Sequence, residues 1–157
     1  MNAFVECADW LEKFSCENPW AGTPFEKIYT MPIAKLGAIG EAFAKQYLEN
    51  KGNTIEHRLN VGHDCLVNGV KTEIKFSLAS NRNYNGYFTF NHIGLDKDWE
   101  QIFFIGVNGD GEIYTAMFQK DALPLHLFYK QQGGKNSHND DYMINGKNSA
   151  KLFRLPT

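Results

Sequence analysis

The chain has 157 residues and a mass of 17.9 kDa, which corresponds to a single domain of ordinary size. With 43% hydrophobic, 14% aromatic and 22% charged residues, its composition is globular and excludes intrinsic disorder, collagen and coiled coil. The net charge of −2 argues against a general nucleic-acid coat, and no apolar run approaches the roughly 20 residues of a membrane span.

The first third of the chain predicts two helices separated by an irregular segment. Apolar residues recur at helical spacing between residues 3 and 16. Three prolines and a glycine then favour a loop or linker over residues 18–34. Residues 35–50 show the clearest helical periodicity, and Gly52 follows where a helix is expected to end.

The middle of the chain predicts a series of short strands. The hydrophobic patterns assign five of them to residues 53–61, 63–68, 70–76, 102–107 and 112–118. Asn68-Gly69 is typical of a two-residue hairpin turn between the second and the third. The continuous apolar run 102–107 predicts a strand buried on both faces. A short strand or a turn of helix is expected at residues 88–93.

The remainder of the chain carries weaker patterns. Residues 119–129 predict a short helix broken at Pro124, and residues 131–149 predict a long loop without regular structure. Residues 120–157 contain six basic and three acidic residues, so this last part is basic. We therefore expect one domain spanning residues 1–157, with a core at about 35–118, an N-terminal helix and loop at 1–34, and a basic C-terminal loop region at 119–157.

Two carboxylates and an ammonium group come together at one end of the predicted hairpin. Asp64 lies on its first strand, and Glu73 lies across the turn on the second. Glu73 and Lys75 are two residues apart on a strand, so their side chains share a face. Carboxylate oxygens suit Mg²⁺, which can lower the pKa of a bound water and offset charge on a phosphodiester. Lys75 would orient or help deprotonate the attacking water and stabilise negative charge.

The same three residues also have a plain structural interpretation, since a Glu and a Lys on an exposed strand usually form a solvated face. Three features of the surrounding sequence favour the chemical interpretation. The hairpin is short and has a turn residue where one is needed. The flanking Ile74 and Phe76 predict that the opposite face of the strand is buried. The helix before the hairpin also carries the pattern Gly40-Glu41-x-x-Ala44-x-x-Tyr47-Leu48.

In this order of helix, strand, Asp, turn, ExK strand and buried apolar strand, residues 35–118 resemble the PD-(D/E)xK nuclease superfamily, which includes archaeal Holliday-junction resolvases. The resemblance implies an α/β (α+β) fold with a restriction-endonuclease-like core, in which helices flank a central mixed β-sheet of about five strands. The family's motif is short, so the resemblance rests on the ordered set of elements.

The resemblance assigns roles to individual residues. Asp64 and Glu73 would hold the metal, the backbone carbonyl of Ile74 would be a further ligand, and Lys75 would act on the water. The implied cofactor is Mg²⁺, with Mn²⁺ able to substitute. Glu41 matches the acid of the preceding helix, which in many members touches the metal directly or through water. An acid in the middle of a helix is otherwise usually exposed.

Residues beside the motif depart from the family pattern or have plainer interpretations. His63 replaces the motif's proline, and it would contact a phosphate or simply point to the other face of the hairpin. Cys65 alternates to the face opposite Asp64 and is predicted to be a core thiol. Together with Cys7 and Cys16 it makes an odd number of cysteines without metal-ligand spacing, which predicts a reducing compartment and no disulfide framework.

Candidate DNA-contacting residues lie in polar segments outside the motif. Amide, guanidinium, phenol and imidazole groups can read base edges or hold phosphates, and an ordinary polar loop explains the same residues equally well. The candidates are Arg82, Asn83, Tyr84, Asn91, His92, Lys135, Asn136, Ser137 and His138.

These expectations combine into one function. The chain is expected to be a Mg²⁺-dependent DNA endonuclease of the cytoplasm, of the type II restriction kind, cutting duplex DNA at a specific sequence. Cutting two strands needs two catalytic centres, which predicts a homodimer, and a methyltransferase would be the partner of such an enzyme. Two alternatives stay open: a structure-selective nuclease, such as a Holliday-junction resolvase or a repair nicking enzyme, and a catalytically inactive nuclease-like module that binds DNA or protein.

Overall fold

The chain folds around a five-stranded mixed β-sheet. The computed structural model describes residues 8, 20–57, 63–79, 86–131 and 141–155. In these ranges the helices are α1 (Glu26–Tyr29), α2 (Ile33–Asn50) and α3 (Gly146–Leu152). The strands are β1 (Ile55–His57), β2 (Cys65–Val67), β3 (Val70–Leu78), β4 (Phe90–Gly94), β5 (Gln101–Val107), β6 (Ile113–Gln119), β7 (Tyr129–Lys130) and β8 (Asp141–Ile144).

The strands are arranged in two sheets. The large sheet has the order β1-β2-β3-β5-β6, with β3 and β5 parallel and the other neighbouring pairs antiparallel. The small sheet has the order β4-β8-β7 and is antiparallel. The α+β class and the mixed sheet of five strands with flanking helices are confirmed, whereas the sequence patterns do not predict the small sheet. None of the helices in the ranges above is long and apolar enough to cross a membrane.

Helix α2 packs one face against β3 of the large sheet. Gly40, Ala44 and Leu48 recur every fourth residue and are buried there. The close approach depends on Gly40, because a Cβ at that position would lie 2.6 Å from the Cβ of Phe76. The helix begins at Ile33 rather than at residue 35, and it ends before Gly52 as predicted.

Strand β5 runs through the centre of the molecule, and each of its residues is buried. Phe103 and Ile105 lie in one hydrophobic cluster with residues of α2. Ile102 and Phe104 lie in a second cluster, which includes residues of the small sheet and of α3. The prediction of a strand buried on both faces is therefore confirmed.

The β2–β3 hairpin positions the motif residues. It turns at Asn68-Gly69, whose φ angles of 50° and 82° have the positive sign that a type I′ turn requires. Cys65 lies opposite Thr72 in the last pair of the hairpin, and Asp64 directly precedes β2. Strand β3 continues to Leu78, beyond its predicted end, because it pairs with β5 along that length.

The prediction of a long loop over residues 131–149 is wrong at its C-terminal end. Strand β8 lies within it and pairs with β4 and β7, and α3 begins at Gly146. The strand is held by partners distant in sequence, and the helix by burial of Ala150 and Leu152. Local periodicity does not reveal either effect, because tertiary packing overrides weak intrinsic propensity.

Smaller differences concern the other irregular segments. Residues 18–34 contain the short helix α1, and residues 88–93 largely become β4. The predicted helix over residues 119–129 forms two 3₁₀ turns instead, Lys120–Ala122 and Leu125–Leu127, on either side of Pro124. Proline has no N–H to donate and clashes with the preceding turn, which stops a continuous α-helix. The predicted helix over residues 3–16 lies, apart from residue 8, outside the described residues.

Candidate active site

An open cleft of about 580 Å³ lies where α2, β3 and β4 meet. Asp64, Glu73, Lys75 and Glu41 all line it, so the structure brings the four predicted catalytic residues to one place. The other lining residues come from the start of α2, from β3 and from the segment that enters β4: Ile33, Leu36, Gly37, Ile74, Phe76, Ser77, Leu78, Thr89, Phe90, Asn91 and His92.

Asp64 continues the hydrogen bonding of the hairpin beyond the end of β2. Its peptide N–H donates to the carbonyl of Thr72 at 3.0 Å. Its side-chain Oδ2 then accepts the peptide N–H of Ile74 at 2.7 Å, in the place where a further strand residue would pair. A carboxylate has about four lone-pair positions, so this bond fixes the side chain and leaves acceptor capacity for a cation.

The carbonyl of Ile74 faces the same open edge of β3 as the Asp64 carboxylate. Within a strand, the N–H and C=O of one residue point to the same side. The N–H of Ile74 points to Asp64, so its carbonyl points to that side as well. Meanwhile the side chain of Ile74 is buried beneath α2, which fixes the position of the peptide group.

Glu73 is the most strongly perturbed acid of the cleft. Its side chain is 13% exposed, and it lines the same cleft as Asp64. Burial, together with the negative charge of Asp64 and a hydrogen bond to it, raises the pKa of Glu73 from 4.5 to about 7. The charges of Lys75 and Lys97 act in the opposite direction and lower this pKa. The carboxyl groups of Glu73 and Asp64 therefore act on each other within the cleft.

Lys75 is held between the two sheets. Its Nζ lies 3.8 Å from Oε1 of Glu73 and donates a hydrogen bond to the carbonyl of His92 at 3.0 Å. The side chain is only 18% exposed. Glu73 and Lys75 thus share the face of β3 that is turned to the small sheet, as predicted, whereas Ile74 packs on the other face.

Glu41 reaches the rim of the cleft from α2. Its carboxylate forms an ion pair with Lys45 one turn further along the helix, with Oε1 and Nζ 2.6 Å apart, and its side chain is 35% exposed. The neighbouring Gly40 lets this part of the helix touch β3 directly. Glu41 is therefore brought to the cleft, and its role as a metal ligand stays a prediction.

Asp64, Glu73 and the carbonyl of Ile74 form a donor set made only of oxygen atoms. In the part of the chain that the structure describes, no group of three or more His, Cys, Asp or Glu side chains is placed to hold a metal ion. Mg²⁺ keeps several of its waters and commonly takes one or two protein carboxylates together with substrate phosphates. Two carboxylates and a backbone carbonyl therefore fit magnesium chemistry.

His92 and Asn91 lie on the opposite wall of the cleft. Both are exposed, and the side chain of His92 is 62% accessible to solvent. They occupy an irregular position of β4, where the pairing with β8 shifts register between Phe90 and Ile93. Of the predicted DNA-contacting residues, these two are brought to the cleft. The others, Arg82, Asn83, Tyr84, Lys135, Asn136, Ser137 and His138, lie outside the described residues.

His63 and Cys65 flank Asp64 but do not line the cleft. Nδ1 of His63 lies 3.1 Å from the carbonyl of Asp98, which ties the start of the hairpin to the segment between β4 and β5. Cys65 is fully buried, and burial is the main cause that raises the pKa of its thiol to about 11. The prediction that Cys65 is a core thiol is confirmed.

Sequence reasoning missed three residues that act on this site. Lys97, an exposed lysine between β4 and β5, lowers the pKa of Glu73 by its charge. Gln131 and Asp141 both contact His92, whose carbonyl holds Lys75. The sequence gives only weak indications of their roles. Lys97 lies in a run of mixed charge, and Gln131 and Asp141 border a polar segment. The apolar residues that follow Asp141 were the one hint of a strand there.

Comparisons with known proteins give a likeness among solved structures. No family model matches the chain, and no curated protein matches it. Among solved structures, the chain is similar to the bacterial homing endonuclease I-Ssp6803I, with 17% sequence identity and a TM-score of 0.43 over 80% of this chain and 85% of that chain. Membership of the PD-(D/E)xK superfamily stays a prediction from the sequence motif.

Proposed function

We propose that the chain is a metal-dependent DNA endonuclease that hydrolyses phosphodiester bonds in the cleft between α2, β3 and β4. The observation that carries the proposal is the arrangement of Asp64, Glu73 and Lys75. Two neighbouring carboxyl groups, one of them largely buried, line an open cleft, and an ammonium group lies 3.8 Å from one of them. An acid with a raised pKa beside a fixed cation in a cleft is typical of sites that perform acid–base chemistry.

The proposed metal is Mg²⁺, with Mn²⁺ able to replace it. Asp64, Glu73 and the carbonyl of Ile74 would hold it, with Glu41 as a further ligand acting directly or through water. When bound there, the ion would supply an acidified water and offset the negative charge of the phosphate. The hydrogen bond from the Ile74 peptide N–H fixes the orientation in which Asp64 would hold the ion.

Lys75 would orient the attacking water and stabilise the charge that builds up on the phosphate. In the overall reaction one water is consumed, a new P–O bond forms and one P–O ester bond breaks. The ammonium group has three N–H donors, of which one is used by the His92 carbonyl. The others can therefore point to Glu73 and to the substrate. Because the side chain is largely buried, its charge acts more strongly than it would in water.

The substrate would be duplex DNA cut at a specific sequence. Asn91 and His92 line the same cleft and offer amide and imidazole groups to phosphates or base edges. Lys97 is exposed, and its charge acts on Glu73, so it would attract the phosphates of DNA that enters the cleft. Cutting both strands at one site favours a homodimer, and a methyltransferase that protects the host's own sites would be the functional partner.

A cleavage assay tests the proposed function. The purified protein is incubated with unmethylated plasmid and phage DNA in Mg²⁺, in Mn²⁺ and in EDTA. Discrete fragments are expected in either metal and none in EDTA. Asp64→Asn and Lys75→Ala should each lower the cleavage rate by at least about 100-fold, since both act on the reacting groups. Lys151→Ala, which removes an exposed lysine of α3, should cut like the wild type.

Other outcomes discriminate among the alternatives. Nicked plasmid, or cleavage confined to branched DNA, would favour a structure-selective enzyme over a restriction enzyme. If no metal supports cleavage of duplex, single-stranded or branched DNA, the catalytic proposal is wrong and a nuclease-like binding module remains. If Lys75→Ala cuts as fast as Lys151→Ala, the activity belongs to another site or to a contaminant.

A further inference from the structure

The carbonyl that accepts the Lys75 hydrogen bond belongs to a residue with an unusual backbone. His92 has a φ of +56°, in the left-handed region that residues other than glycine rarely adopt. It lies at a β-bulge, because β4 carries one more residue than β8 between the pairs Phe90–Ile144 and Ile93–Tyr142. Such a conformation persists only where neighbouring groups hold it in place.

Two residues supply that support: Gln131, which follows β7, and Asp141, the first residue of β8. Oε1 of Gln131 accepts the peptide N–H of His92 at 2.8 Å. Oδ2 of Asp141 lies 3.6 Å from Nδ1 of His92, and the Asp141 side chain is only 8% exposed. The supporting residues are themselves joined, since the N–H of Gln131 donates to the carbonyl of Asp141 at 2.8 Å. His92 is therefore hydrogen-bonded through its backbone, and its ring lies beside the Asp141 carboxylate.

We propose that Gln131 and Asp141 are positioning residues for Lys75. They hold His92 in its left-handed conformation, the His92 carbonyl then faces the ammonium group, and this hydrogen bond keeps Nζ beside Glu73 and directed into the cleft. The inference rests on the proposed function, in which Lys75 acts on the water. It assigns a role to two residues to which the proposed function gives no contact with the metal or with the DNA.

The length of the lysine side chain explains why such support is needed. A lysine has a flexible four-carbon stem and a strongly hydrated charge, so its ammonium group is poorly fixed by one ion pair. With Glu73 3.8 Å away, the pair alone leaves room for other rotamers. The His92 carbonyl adds a second, directional contact at 3.0 Å. Losing it would let the ammonium group move away from the position where the water attacks the phosphorus.

The first test compares substitutions at Gln131. Gln131→Met removes the acceptor at similar length, and Gln131→Glu keeps an oxygen in its place. We expect Gln131→Met to lower kcat by about 10- to 100-fold, the cost of a displaced catalytic group, with KM for DNA nearly unchanged. Gln131→Glu should restore most of the rate. Equal losses in both variants, or a change confined to KM, would overturn the positioning role.

The second test isolates the backbone of residue 92. His92→Ala and His92→Gly both lose the ring and its contacts, but only glycine adopts a positive φ without cost. The glycine variant should therefore have the higher kcat. Gln131→Met should also lower kcat by a smaller factor in the His92→Gly background than in the wild type. If the alanine variant is as fast as the glycine variant, the left-handed conformation plays no part.

A third measurement separates this inference from the proposed function. Trace acetylation of the metal-free protein, read by mass spectrometry, reports how accessible Lys75 is without any cleavage. Labelling of Lys75 should rise several-fold in Gln131→Met, while labelling of the exposed Lys151 stays constant. Unchanged labelling of Lys75 would contradict the inference. If the wild type fails to cut DNA, the proposed function falls, and the labelling still decides whether Gln131 holds Lys75.

Discussion

At the scale of single residues, the ability of the candidate site to bind a cation depends on whether Glu73 is protonated. Burial and the nearby Asp64 raise the pKa of Glu73 to about 7, although Lys75 and Lys97 oppose the shift. At pH 7 the carboxyl group of Glu73 in the metal-free protein is therefore about half protonated. A divalent cation would favour the ionised form, so metal binding would be coupled to release of a proton.

The raised pKa predicts that Glu73→Gln stabilises the metal-free protein at pH 8. For an acid whose pKa is higher in the folded state, the folded state binds its proton more tightly. Wild-type stability therefore falls as the pH rises from about 4.5 to about 7 and stays lower above that range. A shift of this size lowers the free energy of unfolding above pH 7 by about 3 kcal/mol at most. The glutamine variant would avoid this loss.

Urea denaturation in EDTA at pH 4 and at pH 8 measures this effect. The increase in the free energy of unfolding caused by Glu73→Gln should be present at pH 8 and absent at pH 4. Glu49→Gln, which changes an exposed acid of α2, serves as the control and should show no comparable difference between the two pH values. A glutamine variant less stable than the wild type at pH 8 would contradict the prediction.

Lys97 is predicted to contribute to DNA binding more than to the chemical step. It is exposed, and its positive charge acts on Glu73, so it is a candidate for contacting a phosphate of DNA bound at the cleft. Lys97→Ala should weaken DNA binding uniformly across sequences. It should also reduce the slope of the logarithm of the binding constant against the logarithm of the salt concentration by about one. Fluorescence anisotropy at several salt concentrations measures this slope, with Lys151→Ala as the matched control. An unchanged slope would show that Lys97 makes no phosphate contact.

At the scale of elements, the contact between α2 and β3 sets the wall of the cleft that carries Glu41. The helix lies close to the sheet because Gly40 leaves room for Phe76. The buried residues Ala44 and Leu48 continue this contact along the helix. The pattern of residues that marked the helix in the sequence is therefore a packing pattern, and it also places an acid beside the hairpin.

Two glycines of α2 give a matched pair of stability predictions. Gly40→Ala should destabilise the protein by about 1–3 kcal/mol, because the added methyl group would overlap Phe76 in a packed core. Gly37→Ala should stabilise it by about 0.5–1 kcal/mol, because nothing lies within 4 Å of the new Cβ and alanine favours the helix. Thermal unfolding of both variants measures the difference, and equal effects would contradict the packing argument.

At the scale of the whole molecule, the candidate site is assembled from both sheets. The large sheet supplies Asp64, Glu73 and Lys75, and the small sheet supplies the His92 carbonyl that holds Lys75. Strand β8 and the Gln131 side chain connect this carbonyl to the C-terminal part of the chain. The residues after the predicted core at about 35–118 therefore help to position a group of the candidate site.

Metal binding should stabilise the whole domain through the large sheet. A ligand that binds only the folded state at 100 times its Kd adds about 2.7 kcal/mol, which raises the melting temperature by several degrees. We expect such a rise with Mg²⁺ or Mn²⁺ at pH 7.5 in the wild type and in Lys75→Ala. Asp64→Asn should lose it. Calorimetry with each metal measures the shift, and an equal rise in Asp64→Asn would place the metal elsewhere.

Much of the fold and of the candidate site follows from local sequence patterns. The hairpin was predictable because Asn68-Gly69 accepts the positive φ angles of a type I′ turn. Glu73 and Lys75 share a face because strand residues alternate, and β5 is recognisable because a strand covered on both sides is apolar throughout. Helix α2 shows its buried face in the spacing of Gly40, Ala44 and Leu48.

The sequence alone thus determined the elements whose residues interact with close neighbours in the chain, and it determined which side chains could share a surface. Only the tertiary structure decided that β8 and α3 form within a polar segment, and that the carbonyl of His92 meets the ammonium group of Lys75. These contacts join residues far apart in sequence, such as His92 and Gln131. Pairing of that kind leaves no periodic pattern, because its free energy comes from partners that come together only on folding.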